Sequence, residues 1–338
     1  MQSNSKNRPN NYDIYGIGAA LVDTEIEVTD QDLKEFGIKK GIMTLVDEKR
    51  QHELMEMLQG HLVASKRASG GSAANSIIAA SYFGAKTFYS CKVANDENGR
   101  FYLNDLQSAG VNIHLNNGSD PGITGKCLVL ITDDAERTMN TFLGISETLS
   151  IDDIDEDALK ASNYVYIEGY LVTSETGRAA ANRLKKLAQQ NNIKTSLSLS
   201  DPAIVEFFHS GLAEVIGDGV DILFCNEAEA ISFTKSESLE QAAQTLKQFA
   251  RTYAITRGAK GALLFDGEQT IHIDSHPIRA LDSNGAGDMF AGAFLYSVAM
   301  GNSFSEAGKL ASKAASVVVS QYGPRLAAEQ HQQILQSI

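Results

Sequence analysis

Short apolar runs separated by amphipathic stretches of helical length set the strongest limit on what this chain can fold into. Beyond about residue 58 the pattern alternates: a helix after Gly71, a strand over 87–93, a helix over about 99–108, a strand over 164–167 and a helix over 175–190. Strands over 194–199 and 222–225 follow, then a helix over 239–250 and a strand over 253–256. A hairpin turn at Asp266-Gly267 precedes two long helices rich in small residues, about 286–300 and 303–320. Strands alternating with helices of about 10–15 residues predict an α/β fold: a doubly wound, mostly parallel sheet with helices on both faces. Tyr12-Asp13-Ile14-Tyr15-Gly16-Ile17-Gly18 reads as its first, buried strand.

Two stretches break this rhythm. Residues 24–46 read as short extended pieces with turns, and Asp47 caps a helix running to about Leu58. In 123–142, strands over 126–131 and 137–142 flank the turn Asp133-Asp134-Ala135-Glu136. A lone hairpin is marginal in water, so the two stretches are expected to pair into one small sheet. The predicted organisation is a single domain over 1–338 carrying a discontinuous β lid formed by about 24–46 and 123–142. Exposed strand edges are usually covered or paired, which predicts a homodimer through the lid.

Composition narrows the function. The 338 residues are 43% hydrophobic and 21% charged, enough for a substantial core. A net charge of −13 speaks against a nucleic-acid or acidic-membrane binder with a broad basic surface. No apolar run approaches the ~18 residues of a membrane span, and the polar stretch 1–11 reads as a frayed tail without a secretory signal. Cys91, Cys127 and Cys225 are widely spaced and odd in number, which suits a reduced interior and a cytoplasmic protein.

Asp282-Ser283-Asn284-Gly285-Ala286-Gly287-Asp288 opens a long helix with small residues. Backbone N–H groups at such an end approach an anion closely, and the helix dipole favours negative charge there. Asp288 in the first turn can accept a proton from a substrate hydroxyl beside that anion; it would equally complete a helix cap. In Ser69-Gly70-Gly71-Ser72-Ala73-Ala74-Asn75 the paired glycines permit close approach to a ligand, and Asn75 offers a donor and an acceptor to sugar hydroxyls. A tight turn with a buried structural amide has the same pattern.

Asn226-Glu227-Ala228-Glu229 follows a strand, where open α/β sheets bind ligands. Its oxygens suit Mg²⁺, and Asn226 is also a good N-cap. Thr256-Arg257-Gly258-Ala259-Lys260-Gly261, also at a strand end, could line a nucleotide's phosphates or simply turn the chain. Asp23, after the first strand, could chelate two neighbouring hydroxyls. Asn140 and Glu168 are further hydroxyl partners, and Phe36, Phe142 and Tyr170 are candidate aromatic faces for a nucleobase. No P-loop or protein-kinase motif is present, and Leu21 occupies the third glycine position of a dinucleotide fingerprint begun at Gly16 and Gly18. The scattered histidines suggest neither a zinc site nor a triad.

Taken together, Gly70-Gly71-x-x-x-Asn75, Asn226-x-x-Glu229 and Gly285-Ala286-Gly287-Asp288 resemble, in the same order, the motifs of the ribokinase-like (PfkB) family of carbohydrate and nucleoside kinases. The resemblance runs over about 12–323. Lys126-Cys127-Leu128-Val129-Leu130 and Arg137-Thr138-Met139-Asn140-Thr141-Phe142 look most like the bacterial adenosine-kinase-like branch. The resemblance implies Asp288 as catalytic base and Gly285, Ala286 and Gly287 as anion hole. It implies Asp23, Gly70, Gly71 and Asn75 as substrate contacts, with Asn226 and Glu229 at magnesium. Thr256, Gly258, Gly261 and Asn226 would lie on the nucleotide side, with Ser312 where many relatives carry Asn; Ser198 falls where relatives often place Asp or Asn. The activity implied is an ATP-dependent kinase acting on a hydroxymethyl group of a nucleoside or sugar, with ATP, Mg²⁺ and, as an open addition, a monovalent cation such as K⁺. A kinase for a simple carbohydrate such as ribose or fructose is the first alternative. A non-catalytic ligand-binding protein on the same scaffold is the distant one.

Overall fold

The computed structural model describes residues 12–61, 67–114, 117–134 and 136–338. The expected tail, 1–11, and Ala135 of the expected turn lie outside the described residues. In chain order the strands are β1 (Tyr12–Ile17), β2 (Leu21–Glu27), β3 (Met43–Leu45), β4 (Arg67–Gly70), β5 (Thr87–Ser90), β6 (Asn112–Ile113), β7 (Thr124–Ile131), β8 (Arg137–Gly144), β9 (Ser162–Glu168), β10 (Lys194–Ser198), β11 (Val220–Asn226), β12 (Ala250–Thr256), β13 (Ala262–Phe265) and β14 (Thr270–Ile273). Nine of them form one sheet in the order β14-β13-β12-β11-β10-β9-β1-β5-β6. Neighbours from β12 to β6 run parallel, and β12, β13 and β14 pair antiparallel at one edge. Apolar clusters lie on the two faces of this sheet, as its alternation with helices requires. From β1 the chain moves outward to β5 and later returns to β9 on the other side. The crevice beyond the carboxyl ends of β1 and β9 is therefore a topological switch point.

The helix Ser72–Phe83 packs against the helix Ala286–Ala299 on one face. Small residues let them approach: a side chain at Gly292 would run into the Ser76 carbonyl oxygen. Close contact at mid-helix brings both N-termini to the switch point. The positions expected from pattern hold here, and helix Glu175–Gln190 also lies over the expected residues.

The second sheet has the order β3-β8-β7-β2-β4. It draws on both β-rich stretches, with differences in detail. Strand β2 begins at Leu21, and Arg67–Gly70 joins as an edge strand that pattern did not reveal. Within 24–46 the expected extended run contains a helix, Asp30–Glu35, because Thr29 and Asp32 form a reciprocal capping box at its start. That helix and Glu48–Met57 cover one face of the sheet through Ile26, Leu33, Leu54, Leu58, Leu128 and Leu130. The helix expected over 239–250 stops at Leu246, and Ala250 opens β12 instead, since parallel pairing with Val220 claims it.

Candidate active site

The carboxyl ends of the parallel strands and the inner face of the second sheet enclose a cleft of about 380 Å³. On its floor lies the loop before the helix Ala286–Ala299. Gly285 adopts φ +74°, and the backbone of Pro324 occupies the space where any side chain would go. Buried Asp282 locks the loop by accepting from the Asn284 N–H at 2.8 Å and the Gly323 N–H at 2.9 Å. No side chain among the described residues caps this helix, and Gly287 faces open space. The first-turn amides are thus aimed at the cleft, an arrangement that suits an anion.

Asp288 stands beside these amides. Its Oδ1 accepts from the Ser72 hydroxyl at 2.6 Å and its Oδ2 from Asn75 Nδ2 at 3.0 Å. Burial raises the carboxyl above its ordinary pKa, and those two donors hold it back. Glu168, at the end of β9, accepts from the Ala19 N–H at 2.6 Å and the Ala73 N–H at 2.9 Å. It thereby fixes the end of β1 against the helix Ser72–Phe83, and burial pushes its carboxyl to about 7. Gly71 reaches φ +96° where the Ala19 carbonyl leaves no room for a side chain. Asp23 lies directly over Gly70, so any side chain at Gly70 would collide with that carboxylate. Burial first, then the charge of Glu25, pushes Asp23 to about 8.

Across the cleft, Asn226 and Glu229 form a capping box at the start of the helix Glu227–Thr234. The Asn226 amide donates to Glu229 Oε1 at 2.6 Å, its N–H donates to Oε2 at 2.9 Å, and Asn226 Oδ1 accepts from the Glu229 N–H at 2.8 Å. Burial holds Glu229 up at about 7. With these oxygens engaged, and no cluster of three metal-binding side chains among the described residues, the pair fits Mg²⁺ through the ion's water shell and not by direct ligation.

A model of the pfkB family of carbohydrate kinases matches residues 36–331. The chain belongs to that family. This pfkB kinase is similar to the adenosine kinase of Saccharomyces cerevisiae, 28% identical over 93% of this chain and 96% of the yeast one. Adenosine kinase 2 of Arabidopsis thaliana is 27% identical over 93% and 96% of the respective chains. Among solved structures, adenosine kinase from Sinorhizobium meliloti superposes with a TM-score of 0.92 at 30% identity, covering 97% of this chain and 100% of that one. The chain is thus an adenosine-kinase-like member of the family, an ATP-dependent phosphotransferase. Among the described residues no helix is long and apolar enough to cross a membrane.

The cleft of this pfkB kinase gathers Asp23, Gly71, Asn75, Glu168, Asn226, Glu229, Thr256, Gly258 and the whole 285–288 turn. Seven of the residues singled out from the sequence lie outside this lining. Asn140 is opposite Leu128 on the outer face of the second sheet, because strand side chains alternate and the cleft-facing set is Arg137, Met139, Thr141 and Leu143. Phe142 shares that outer face, and Phe36 packs behind the sheet, so neither is a wall for a base; Tyr170 does line the cleft. Gly70 supports Asp23 from outside the lining. Gly261, at φ +82°, packs on the Ile273 carbonyl, and Ser312 donates to the Asp274 carbonyl at 2.9 Å. Arg257 is paired with Glu227 at 3.1 Å instead of facing the cleft. Sequence reasoning passed over Arg137 and Asp201, both in the lining. Period-two alternation on β8 puts Arg137 and Asn140 on opposite faces, and the pairing with β7 and β3 turns Arg137 to the cleft.

Proposed function

We propose that this kinase transfers the γ-phosphoryl group of ATP to the hydroxymethyl group of a nucleoside, with adenosine the foremost candidate. The observation that carries the reading is the position of Asp288, fixed by Ser72 and Asn75 beside the open amides of the helix Ala286–Ala299. In this reading Asp288 accepts the acceptor's hydroxyl proton as its oxygen attacks the γ-phosphorus. The bond to the β–γ bridging oxygen breaks and ADP leaves. The amides of 285–288 meet the charge spreading over the phosphoryl oxygens, and Arg137 adds a cation from above.

The inner face of the second sheet supports a nucleoside over a simple sugar. Asp23, Cys127, Thr141 and Leu45 form one row across four strands, with Met139 beside Met43 in the next. At about 4.8 Å per strand the row spans roughly 14 Å. Sugar hydroxyls held by Asp23 and Asn75 leave an apolar shelf the size of a nucleobase, faced by Tyr170. A free pentose would leave it empty.

We take the second sheet as a lid whose closure excludes water, the competing acceptor. Mg²⁺ held through its waters near Glu229 would neutralise phosphate charge; K⁺ rests on the family resemblance alone. The outer lid face is covered by the chain's own helices, which leaves the edge strands β3 and β4 as the part of the lid a second copy could pair with. A homodimer through these lid edges stays the expectation, to be read by light scattering. Three free, buried cysteines support a reduced, cytoplasmic setting.

The test is ADP release from ATP and Mg²⁺ with adenosine, inosine, ribose or fructose as acceptor. Adenosine-dependent turnover that is lost in Asp288→Asn supports the reading. Turnover with ribose and none with nucleosides, or an active Asp288→Asn variant, overturns it.

A further inference from the structure

Two buried side-chain atoms of the cleft-lining residues have no hydrogen-bond partner among the described residues: Asn75 Oδ1 and Asn284 Nδ2. Buried polar groups are otherwise nearly always paired, and an unpaired one costs free energy. Such an atom in the wall of a ligand cleft points to a contact that the ligand completes. The two atoms are of opposite kind. Asn75 commits its nitrogen to Asp288 Oδ2 at 3.0 Å, which leaves an oxygen that only accepts, as a hydroxyl of the acceptor requires. Asn284 leaves an amide nitrogen that only donates, which suits an oxygen carrying negative charge.

The backbone holds Asn284 beside the anion loop. Its N–H donates to Asp282 Oδ1 at 2.8 Å, and the other oxygen of Asp282 accepts from the Gly323 N–H at 2.9 Å, so the loop is clamped on both sides. The next residue, Gly285, is the N-cap of the helix Ala286–Ala299 and packs on the Pro324 backbone. Asn284 therefore stands immediately before the amides of 285–288, and it is 6% exposed. The clamp uses the Asn284 main chain and the Asp282 carboxylate. It leaves the side-chain amide of Asn284 without a role in the loop itself.

We propose that Asn284 is a further catalytic residue, whose Nδ2 donates to a non-bridging oxygen of the donor nucleotide's terminal phosphate. It adds a side-chain donor to the anion hole that the amides of 285–288 form. The phosphoryl group in transfer spreads its charge over three peripheral oxygens, and a donor already in place and shielded from water stabilises that charge most strongly. Asn75 Oδ1 serves the alcohol. The two unpartnered atoms thus divide the cleft between an anion that accepts hydrogen bonds and a hydroxyl that donates one.

The proposal rests on the kinase reading. In Asn284→Ala, kcat is expected to fall about 10²- to 10³-fold, the cost of removing one donor of this kind. ATP should bind about tenfold more weakly, while ADP, which lacks the terminal phosphate, should bind within about twofold of the wild type. Tm of the ligand-free protein should not fall, since no protein partner is lost. Asn284→Leu keeps the side-chain volume without the donor, and it should lose kcat and ATP affinity as the alanine variant does. Wild-type kcat and ATP affinity in either variant, a Tm loss that leucine repairs together with kcat, or equal losses of ATP and ADP affinity in Asn284→Ala would overturn the proposal. If the wild-type protein binds ATP but phosphorylates no acceptor, the kinase reading has failed; the ATP-against-ADP comparison still decides whether Asn284 touches the terminal phosphate. A wild-type protein that binds no ATP overturns both.

Discussion

The Ser72 hydroxyl donates to Asp288 Oδ1 at 2.6 Å, joining two helix N-termini that lie 216 residues apart in the chain. Asn75, one turn further along the first helix, holds the other oxygen at 3.0 Å. The two donors favour the ionised carboxylate while burial opposes it, which leaves Asp288 basic enough to accept a proton and fixed enough to aim.

Removing one donor should therefore shift the pH profile. A base at Asp288 would act ionised, so kcat would fall as pH drops through its pKa. Ser72→Ala withdraws a hydrogen bond that lowers this pKa, and the acid limb of kcat is expected to move to higher pH. A pH–rate profile in which the acid limb stays put would show that Ser72 does not tune the base.

The approach of the two helices is a packing requirement at Gly292. A side chain there meets the Ser76 carbonyl, so Gly292→Val should destabilise the fold by about 1–3 kcal/mol, as over-packing does. It should also pull Ser72 and Asn75 away from Asp288. Chemical denaturation reads the first effect and kcat the second; a variant as stable and active as the wild type would show that the helices can part without cost.

Three buried carboxyls give the ligand-free protein a pH-dependent stability. Asp23 is raised to about 8, and Glu168 and Glu229 to about 7, against about 3.9–4.3 for exposed carboxyls. Between those limits the folded state binds more protons than the unfolded chain. The stabilisation is complete below the ordinary carboxyl range and lost as pH rises through about 7 to 8. Tm without ligand should fall between pH of about 6 and 8.5, and Asp23→Asn should flatten that fall. A wild-type Tm rising over this interval contradicts the assignment.

The apolar shelf should matter to nucleosides alone. Met139→Ala removes a large part of one wall and is expected to raise the adenosine KM about tenfold, from the loss of about 1.5 kcal/mol of apolar contact. Any residual turnover of ribose should be unchanged. Steady-state kinetics with both acceptors makes the comparison, and equal effects on the two would place the base elsewhere.

Much of the site was legible because its chemistry is local. Gly285 to Asp288 and Gly70 to Asn75 declare a close approach of backbone to ligand through residue size alone, and each motif adjoins a recognisable helix. Arg137 and Asn140 show where local reading stops. Both are polar residues on one strand, and only the pairing of β8 with β7 and β3 says which of them faces inward. Ser312 and Gly261, expected on the nucleotide side, lie outside the cleft lining and pack on the end of the β13–β14 hairpin, a placement that only tertiary packing sets.

The order of residues by itself determined the parallel α/β architecture, the existence of a second β layer and the candidate loop before the helix Ala286–Ala299, because hydrophobic period and glycine placement act over a few residues. The tertiary structure decided which face of the second sheet lines the cleft, and that Asp288 is held by two donors from a distant helix. Those depend on strand register and helix approach, which arise only when segments far apart in the chain compete for the same buried space.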